Sequence, residues 1–290
     1  MDDPPGTRPL SPSAGLLPDE LEATIVLLRH GESTAIVEGR FQGRLDTPLS
    51  PLGMRQAELA GGRLARPDAP PHVAVPARAP VEIVHSPLSR TTETARAVAA
   101  ALEQVHGPTM RPLLRPEPGL IEIGQGAWEG LQRAEVVARY GPELDAWRRA
   151  PTQAQAPDGE RVLDAGVRAR VALLDVLTRL GASRPSVSPE ATHTAGYPPS
   201  PGPDTPWTLL VAHDGILKVT LLTLLDLPLD RFWSFPWGLT GLTIVELARG
   251  RAILRGHNLT DHLAPLQAQH STADALAEAT MQARDRAGSL

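Results

Sequence analysis

The stretch TIVLLRHGEST, Thr24 to Thr34, decides the reading of this chain. A β-type apolar run stops abruptly at Arg29 and His30, and glycine and small polar residues follow. A continuous apolar run bounded in this way suits a strand buried on both faces. Two further segments repeat the pattern. VEIVHS, Val81 to Ser86, leads into PLSRTTETARAVAAALEQV, where Pro87 and Ser89 suit a helix start, the Ala-rich continuation favours helix, and Arg90 falls in the first turn. WTLLVA, Trp207 to Ala212, ends at His213 and leads into the helix-like ILKVTLLTLL. Strands of this kind alternating with helices predict an α/β fold, a three-layer sandwich with a mostly parallel central sheet and helices on both faces. Near the C-terminal end, GLTIVEL and RAILRG, joined by Ala248, Arg249 and Gly250, read as an antiparallel hairpin on that sheet.

Ligands of open α/β sheets bind in the crevice outside the carboxyl ends of the strands. Arg29, His30, Arg90 and His213 all fall at or just past such ends, so distant parts of the chain can bring two histidines and two arginines to one edge. These are the groups that phosphoryl transfer without a metal requires. Neutral imidazole is a competent nucleophile near pH 7 when a hydrogen bond to its other nitrogen fixes the tautomer. Arginine donates two parallel hydrogen bonds to phosphate and stays charged.

Composition narrows the alternatives. With 290 residues, 41% of them hydrophobic, the chain can bury a sizeable core, and one catalytic domain over residues 21–263 is expected. A net charge of −5 argues against nonspecific binding to nucleic acid or to anionic membranes, so any phosphate site must be cationic locally. The absence of cysteine excludes thiolate nucleophiles and thiolate metal sites. No cluster has metal-ligand spacing, so neither a metal nor another cofactor is expected. The apolar stretch from Leu209 to Leu229 is interrupted by His213, Asp214, Lys218 and Asp226, too often for a membrane span, and a cytoplasmic protein is the expectation. Residues 1–20, acidic and Pro-rich without a signal-peptide pattern, read as a disordered tail. Residues 182–206, rich in Pro, Ser and Thr, read as an inserted surface loop, and residues 264–290 as a peripheral helical tail.

Six segments in order resemble the histidine phosphatase superfamily, branch 1, of the broad-specificity or α-ribazole phosphatase type. LLRHGEST is similar to its signature, and FQGRLDTPLSPLGMRQAELAG to the segment that follows it. SPLSRTTETA resembles the second arginine motif, IEIGQGAWEGL the segment carrying the acid, LLVAHDGILKVTL the second-histidine motif and NLTDHL the closing motif. Together they span Ile25 to Leu263. The resemblance implies a phosphoglycerate-mutase-like fold and a phosphatase acting on a small phosphorylated metabolite. His30 would accept the phosphoryl group, with Arg29, Arg90 and His213 around the phosphate. Glu122, rather than Glu129, would be the general acid because it precedes Gly126 and the WEG triplet, and Gln42 would donate to a nonbridging oxygen. The resemblance also admits a phosphoglycerate mutase, which retains the phosphohistidine, and a non-catalytic binding module of the same fold. The segment from Arg148 to Glu160 carries little positive charge for binding a carboxylate, which favours hydrolysis.

Two positions depart from the family pattern. Ile36 stands where a pocket asparagine is common, so one phosphate donor is missing or supplied elsewhere. Asp214 stands where glycine is more usual, and a carboxylate there is expected to raise the pKa of His213. The remaining polar residues read as structural. His85 alternates with apolar residues in a strand, His257 and His262 cap or brace the fold, and Glu160 stabilises a loop or pairs with an arginine. Trp128, Trp233 and Trp237 read as core or pocket-wall aromatics. The helical segments Ala134 to Trp147 and Ala165 to Leu180 carry no evident chemical role.

Overall fold

The computed structural model describes residues 15–108, 112–183 and 202–268. Most of the tail and insertion segments named above lie outside these residues.

Six strands form one sheet among the described residues, in the order β3-β2-β4-β1-β5-β6. β1 (Ala23–Arg29), β2 (Glu82–His85), β3 (Leu113–Pro116) and β4 (Trp207–Ala212) run parallel. β5 (Leu242–Ala248) pairs antiparallel with β1 and with β6 (Arg251–Leu259). The hairpin turn rests on Arg249 and Gly250, both at positive φ (52° and 68°), the backbone that a two-residue turn between twisted strands requires.

Side chains alternate across a strand, and β1 feeds two cores in consequence. Ile25 and Leu27 pack with α5 (Val162–Ala182) and α6 (Asp214–Leu224) on one face. Val26 and Leu28 pack with α2 (Pro51–Ala65) and α3 (Ser89–His106) on the other. The buried positions of α5, Val162, Ala165, Ala169, Ala172, Leu173, Val176, Leu177 and Leu180, keep the three-and-four spacing that lays one helical stripe on a sheet. β4 lies between β2 and β1 and is buried along its whole length, which explains its lack of polar alternation.

Two smaller elements complete the description. α1 (Thr34–Val37) is a single turn capped by Ser33, whose Oγ accepts from the Ile36 amide. α4 (Arg133–Arg149) is kinked at Tyr140 ahead of Pro142, and it closes a separate apolar cluster around Trp128, Val136, Leu144 and Ala156. Among the described residues no helix is long and apolar enough to cross a membrane.

Candidate active site

The register of two neighbouring strands brings the histidines together. Arg29 of β1 pairs with Ala212 of β4, and the next amide, of His30, donates to the Ala212 carbonyl at 3.0 Å. His30 and His213 are therefore the first residues beyond adjacent parallel strands, with ring centroids 5.1 Å apart and the rings edge-on. Both are buried, at 3% and 0% exposure. The turn after His30 depends on close backbone packing. A Cβ on Gly31 would collide with the Gly53 carbonyl oxygen, and one on Gly53 with the Glu32 carbonyl oxygen.

Hydrogen bonds fix the state of each ring. His30 Nδ1 lies 2.6 Å from the Gly31 carbonyl oxygen, which can only accept, so Nδ1 carries the proton and Nε2 keeps its lone pair. Burial first, then the Arg90 and Arg29 charges, hold the pKa of His30 well below the ordinary 6.5, so the ring is neutral at physiological pH. His213 Nδ1 accepts from Arg90 Nε at 3.2 Å, which leaves the proton on Nε2, 2.8 Å from Ser86 Oγ. Its pKa is also held well below 6.5, by burial and then Arg90. Asp214 does not act on His213 as the sequence suggested. Its carboxylate turns instead to Lys218 Nζ, one helical turn on, at 2.6 Å.

Arg90 is 1% exposed in the first turn of α3. Besides His213 it donates from Nη1 to the Leu45 carbonyl (2.7 Å) and from Nη2 to the Gly43 carbonyl (2.9 Å), which folds the 43–45 loop against the helix. Asp46 secures the same loop by accepting from the Ser89 amide and hydroxyl. Burial lowers the Arg90 pKa to about 10, still fully charged at pH 7. Arg29 donates from Nη1 to the Trp237 carbonyl, and its buried Nε has no partner among the described residues. Two guanidinium groups with uncommitted N–H donors thus border the same pocket.

Glu122 reaches the pocket from the loop after β3 and caps the first turn of α6. Its Oε1 accepts from the Ile216 and Ile123 amides (3.0 and 2.9 Å) and Oε2 from the Gly215 amide (3.2 Å). A carboxylate at this helix start satisfies donors that have no partner within the helix. A Cβ on Gly215 would lie 2.8 Å from Oε1, so glycine makes room for the acid. Burial, aided by the charge of Asp214, raises the Glu122 pKa despite those three hydrogen bonds. Glu129, by contrast, has Oε1 committed to the Arg44 and Gln125 amides and holds a loop together.

Gln42 Oε1 accepts from Ser33 Oγ (2.7 Å) and Thr47 Oγ1 (3.0 Å), which orients the amide and makes Nε2 the available donor. The pocket is lined by Arg29, His30, Gln42, Arg90, Glu122 and Asp214, together with Trp147, Phe232 and neighbouring loop residues. Of the six site residues read from the sequence, five line this pocket. His213 stands behind the lining, with both ring nitrogens engaged by protein groups. No signal in the sequence singled out Trp147, which α4 carries to the pocket from a segment without evident chemical role, or Phe232, which precedes the expected Trp233 to Trp237 wall. Trp128 and Trp237 are buried and Trp233 is 41% exposed. Glu160 does pair with arginines, Arg168 and Arg44. His257 and His262 brace the closing strands through Thr243 and Thr240.

Comparison with known proteins follows the same lines. Residues 25–187 and 200–260 match the family model described as the histidine phosphatase superfamily (branch 1). Phosphoserine phosphatase 1 of Hydrogenobacter thermophilus is 27% identical over 241 residues, 82% of this chain and 93% of that protein. Glucosyl-3-phosphoglycerate phosphatase of Mycobacterium tuberculosis is 32% identical over 224 residues, 77% of this chain and 84% of that protein. The solved structure of a mycobacterial glucosyl-3-phosphoglycerate phosphatase with VO3 superposes with a TM-score of 0.61 at 29% identity, covering 81% of this chain and 99% of that one.

Proposed function

The chain belongs to branch 1 of the histidine phosphatase superfamily, and on that premise we propose that it hydrolyses small phosphomonoesters through a phosphohistidine on His30. The observation that carries this is the state of His30: neutral, with Nδ1 pinned to a carbonyl and an unprotonated Nε2 in a pocket bordered by two arginines.

In the first step His30 Nε2 attacks phosphorus, the P–O bond to the alcohol breaks, and the departing oxygen takes a proton from Glu122. Arg29, Arg90 and the Gln42 amide donate to the nonbridging oxygens as charge moves onto them. Glu122 Oε2, with one backbone donor against two for Oε1, is the oxygen suited to carry the acidic proton. Its raised pKa keeps part of the population protonated nearer neutrality. In the second step water attacks phosphorus, the carboxylate of Glu122 takes the water proton, and the P–N bond breaks to release phosphate and neutral His30. His213 acts through Arg90, whose Nε it fixes, and reaches the phosphoryl group itself only by exchanging Ser86 for a substrate oxygen.

A mutase would need cations for a carboxylate as well as for the phosphoryl group. Among the described residues the pocket-lining cations are Arg29 and Arg90, and both are taken by phosphate. Two relatives named as phosphatases support hydrolysis too. Phosphorylated metabolites are charged and retained inside cells, so a cytoplasmic location accompanies this function.

Phosphate release from p-nitrophenyl phosphate and a panel of phosphomonoesters, run beside conversion of 3- to 2-phosphoglycerate, tests the proposal. Wild type is expected to release phosphate and to yield an acid-labile, base-stable phosphohistidine on rapid quenching, and His30→Ala to do neither. Isomerisation faster than release would mean a mutase, and no turnover with no trapped phosphate a binding module.

A further inference from the structure

Asp214, the residue that replaces a more usual glycine, is the least expected group in the pocket. Its side chain is 30% exposed and lines the cavity beside Glu122, with Trp147 and Phe232 as neighbouring walls. Lys218 holds one carboxylate oxygen, Oδ2, from behind. Lys218 itself is only 5% exposed and is boxed against the faces of Phe232 and Trp233, with Nζ 5.4 and 4.9 Å from the ring centroids. The ion pair is therefore polarised in space, its cation in an aromatic enclosure and its anion toward the pocket. Oδ1 remains as an acceptor. Gln125, also on the lining, carries a buried Oε1 that has no donor among the described residues.

From this arrangement we propose that Asp214 is a specificity-determining residue that contacts the alcohol part of the substrate, accepting a hydrogen bond from a hydroxyl and repelling carboxylates. The favoured substrates are monophosphates of neutral, polyhydroxylated alcohols of the sugar or polyol class. Aromatic walls at Trp147 and Phe232 offer apolar faces to the C–H groups of such an alcohol, and the acceptors meet its O–H groups. A carboxylate in the same place meets Asp214, and among the described residues the cations on the lining are Arg29 and Arg90, both engaged by the phosphoryl group. Two like charges about 5–6 Å apart, at an effective dielectric near 20, repel by on the order of a hundredfold in binding, and the Lys218 ammonium a few ångströms farther off offsets part of this, leaving about tenfold. Phosphoserine and glucosyl-3-phosphoglycerate, the molecules in the names of two relatives, both carry a carboxylate, so the inference sets this chain apart from them.

This inference rests on the phosphatase reading, and the test keeps the two separate. Glycerol 3-phosphate and 3-phosphoglycerate differ by a CH2OH group against a carboxylate, and p-nitrophenyl phosphate reports the chemistry without either. Wild type is expected to show kcat/KM about tenfold higher for glycerol 3-phosphate than for 3-phosphoglycerate, the difference lying mainly in KM. Asp214→Asn, and the variant Asp214→Asn with Lys218→Met that removes both charges, should bring the ratio to within about threefold of unity. Any general effect of Asp214 on Glu122 alters both substrates alike and cancels in the ratio. A wild-type ratio near or below one overturns the inference, as does an unchanged ratio in variants that still turn over p-nitrophenyl phosphate. Failure of wild type to hydrolyse p-nitrophenyl phosphate at all overturns the phosphatase reading itself.

Discussion

Replacing Arg90 tests the site at the point where stability and chemistry share one side chain. Its guanidinium serves three protein acceptors at once, and two of those bonds, to His213 Nδ1 and the Gly43 carbonyl, are fully buried. Arg90→Lys keeps the charge but has no fork, so it can satisfy at most one of the buried acceptors well. An acceptor left buried without a donor costs roughly 1–3 kcal/mol, which places the loss of stability at about 2–4 kcal/mol once the partner of Leu45 is included. Loss of a fixed donor to the phosphoryl oxygens should reduce kcat/KM by about 100-fold or more. Arg90→Met removes the charge as well. Since Arg90 is, after burial, the largest influence lowering the His30 pKa, that pKa should return toward 6.5 and the acid limb of the kcat/KM profile should move to higher pH. Urea unfolding gives the stability change, and the pH profile of p-nitrophenyl phosphate hydrolysis gives the rest. An Arg90→Lys variant within 0.5 kcal/mol, about the noise of surface substitutions, and about threefold of wild type in activity would refute the role assigned to the fork. An unmoved acid limb in Arg90→Met would refute the charge effect.

Glu122→Gln retains shape but cannot protonate a leaving group, so alkyl phosphates should lose about 100-fold or more in kcat while p-nitrophenyl phosphate, whose leaving oxygen needs little protonation, loses far less. Equal losses on the two would remove Glu122 as the acid. Its raised pKa also predicts that kcat declines as pH rises through that pKa, and that Glu122→Gln lacks this limb. His262 is buried and its pKa is lowered to about 4, chiefly by burial. The unfolded chain binds this proton below pH 6.5 and the folded chain only below about 4, so stability is present above 6.5 and falls as pH drops between those values. The loss is about 2–3 kcal/mol, and a denaturation series from pH 7 to 4 should be flatter by that amount in His262→Gln.

The elements carrying the site were legible because each is a local pattern. Apolar runs ending at Arg29, Ser86 and His213 mark strands whose burial on both faces removes polar alternation, and the sheet rule places their ends together. β4 was bounded correctly to the residue, and β1 and β2 to within one at each end. The hairpin followed from Arg249 and Gly250 at the turn. Asp214 shows where a local pattern fails, because adjacency in sequence to His213 is not adjacency of charge. At the start of α6 its side chain projects along the helix to Lys218, four residues on, and away from the preceding ring.

The sequence by itself determined the mostly parallel sheet and the placing of Arg29, His30, Arg90 and His213 at or just past strand ends, since these depend on periodicity and on where apolar runs stop, while the choice of Glu122 came with the family resemblance. Only the tertiary structure decided which ring nitrogen of His30 is free, that His213 stands behind Arg90 and off the pocket wall, and that Trp147 and Phe232 line the pocket. The first depends on how the turn after β1 aims the Gly31 carbonyl at the ring, and the others on groups brought in from residues 43–45, from α4 and from the loop after α6. A chain encodes such contacts only through the packing of the whole domain, where no local pattern records which group will stand within 3 Å of another.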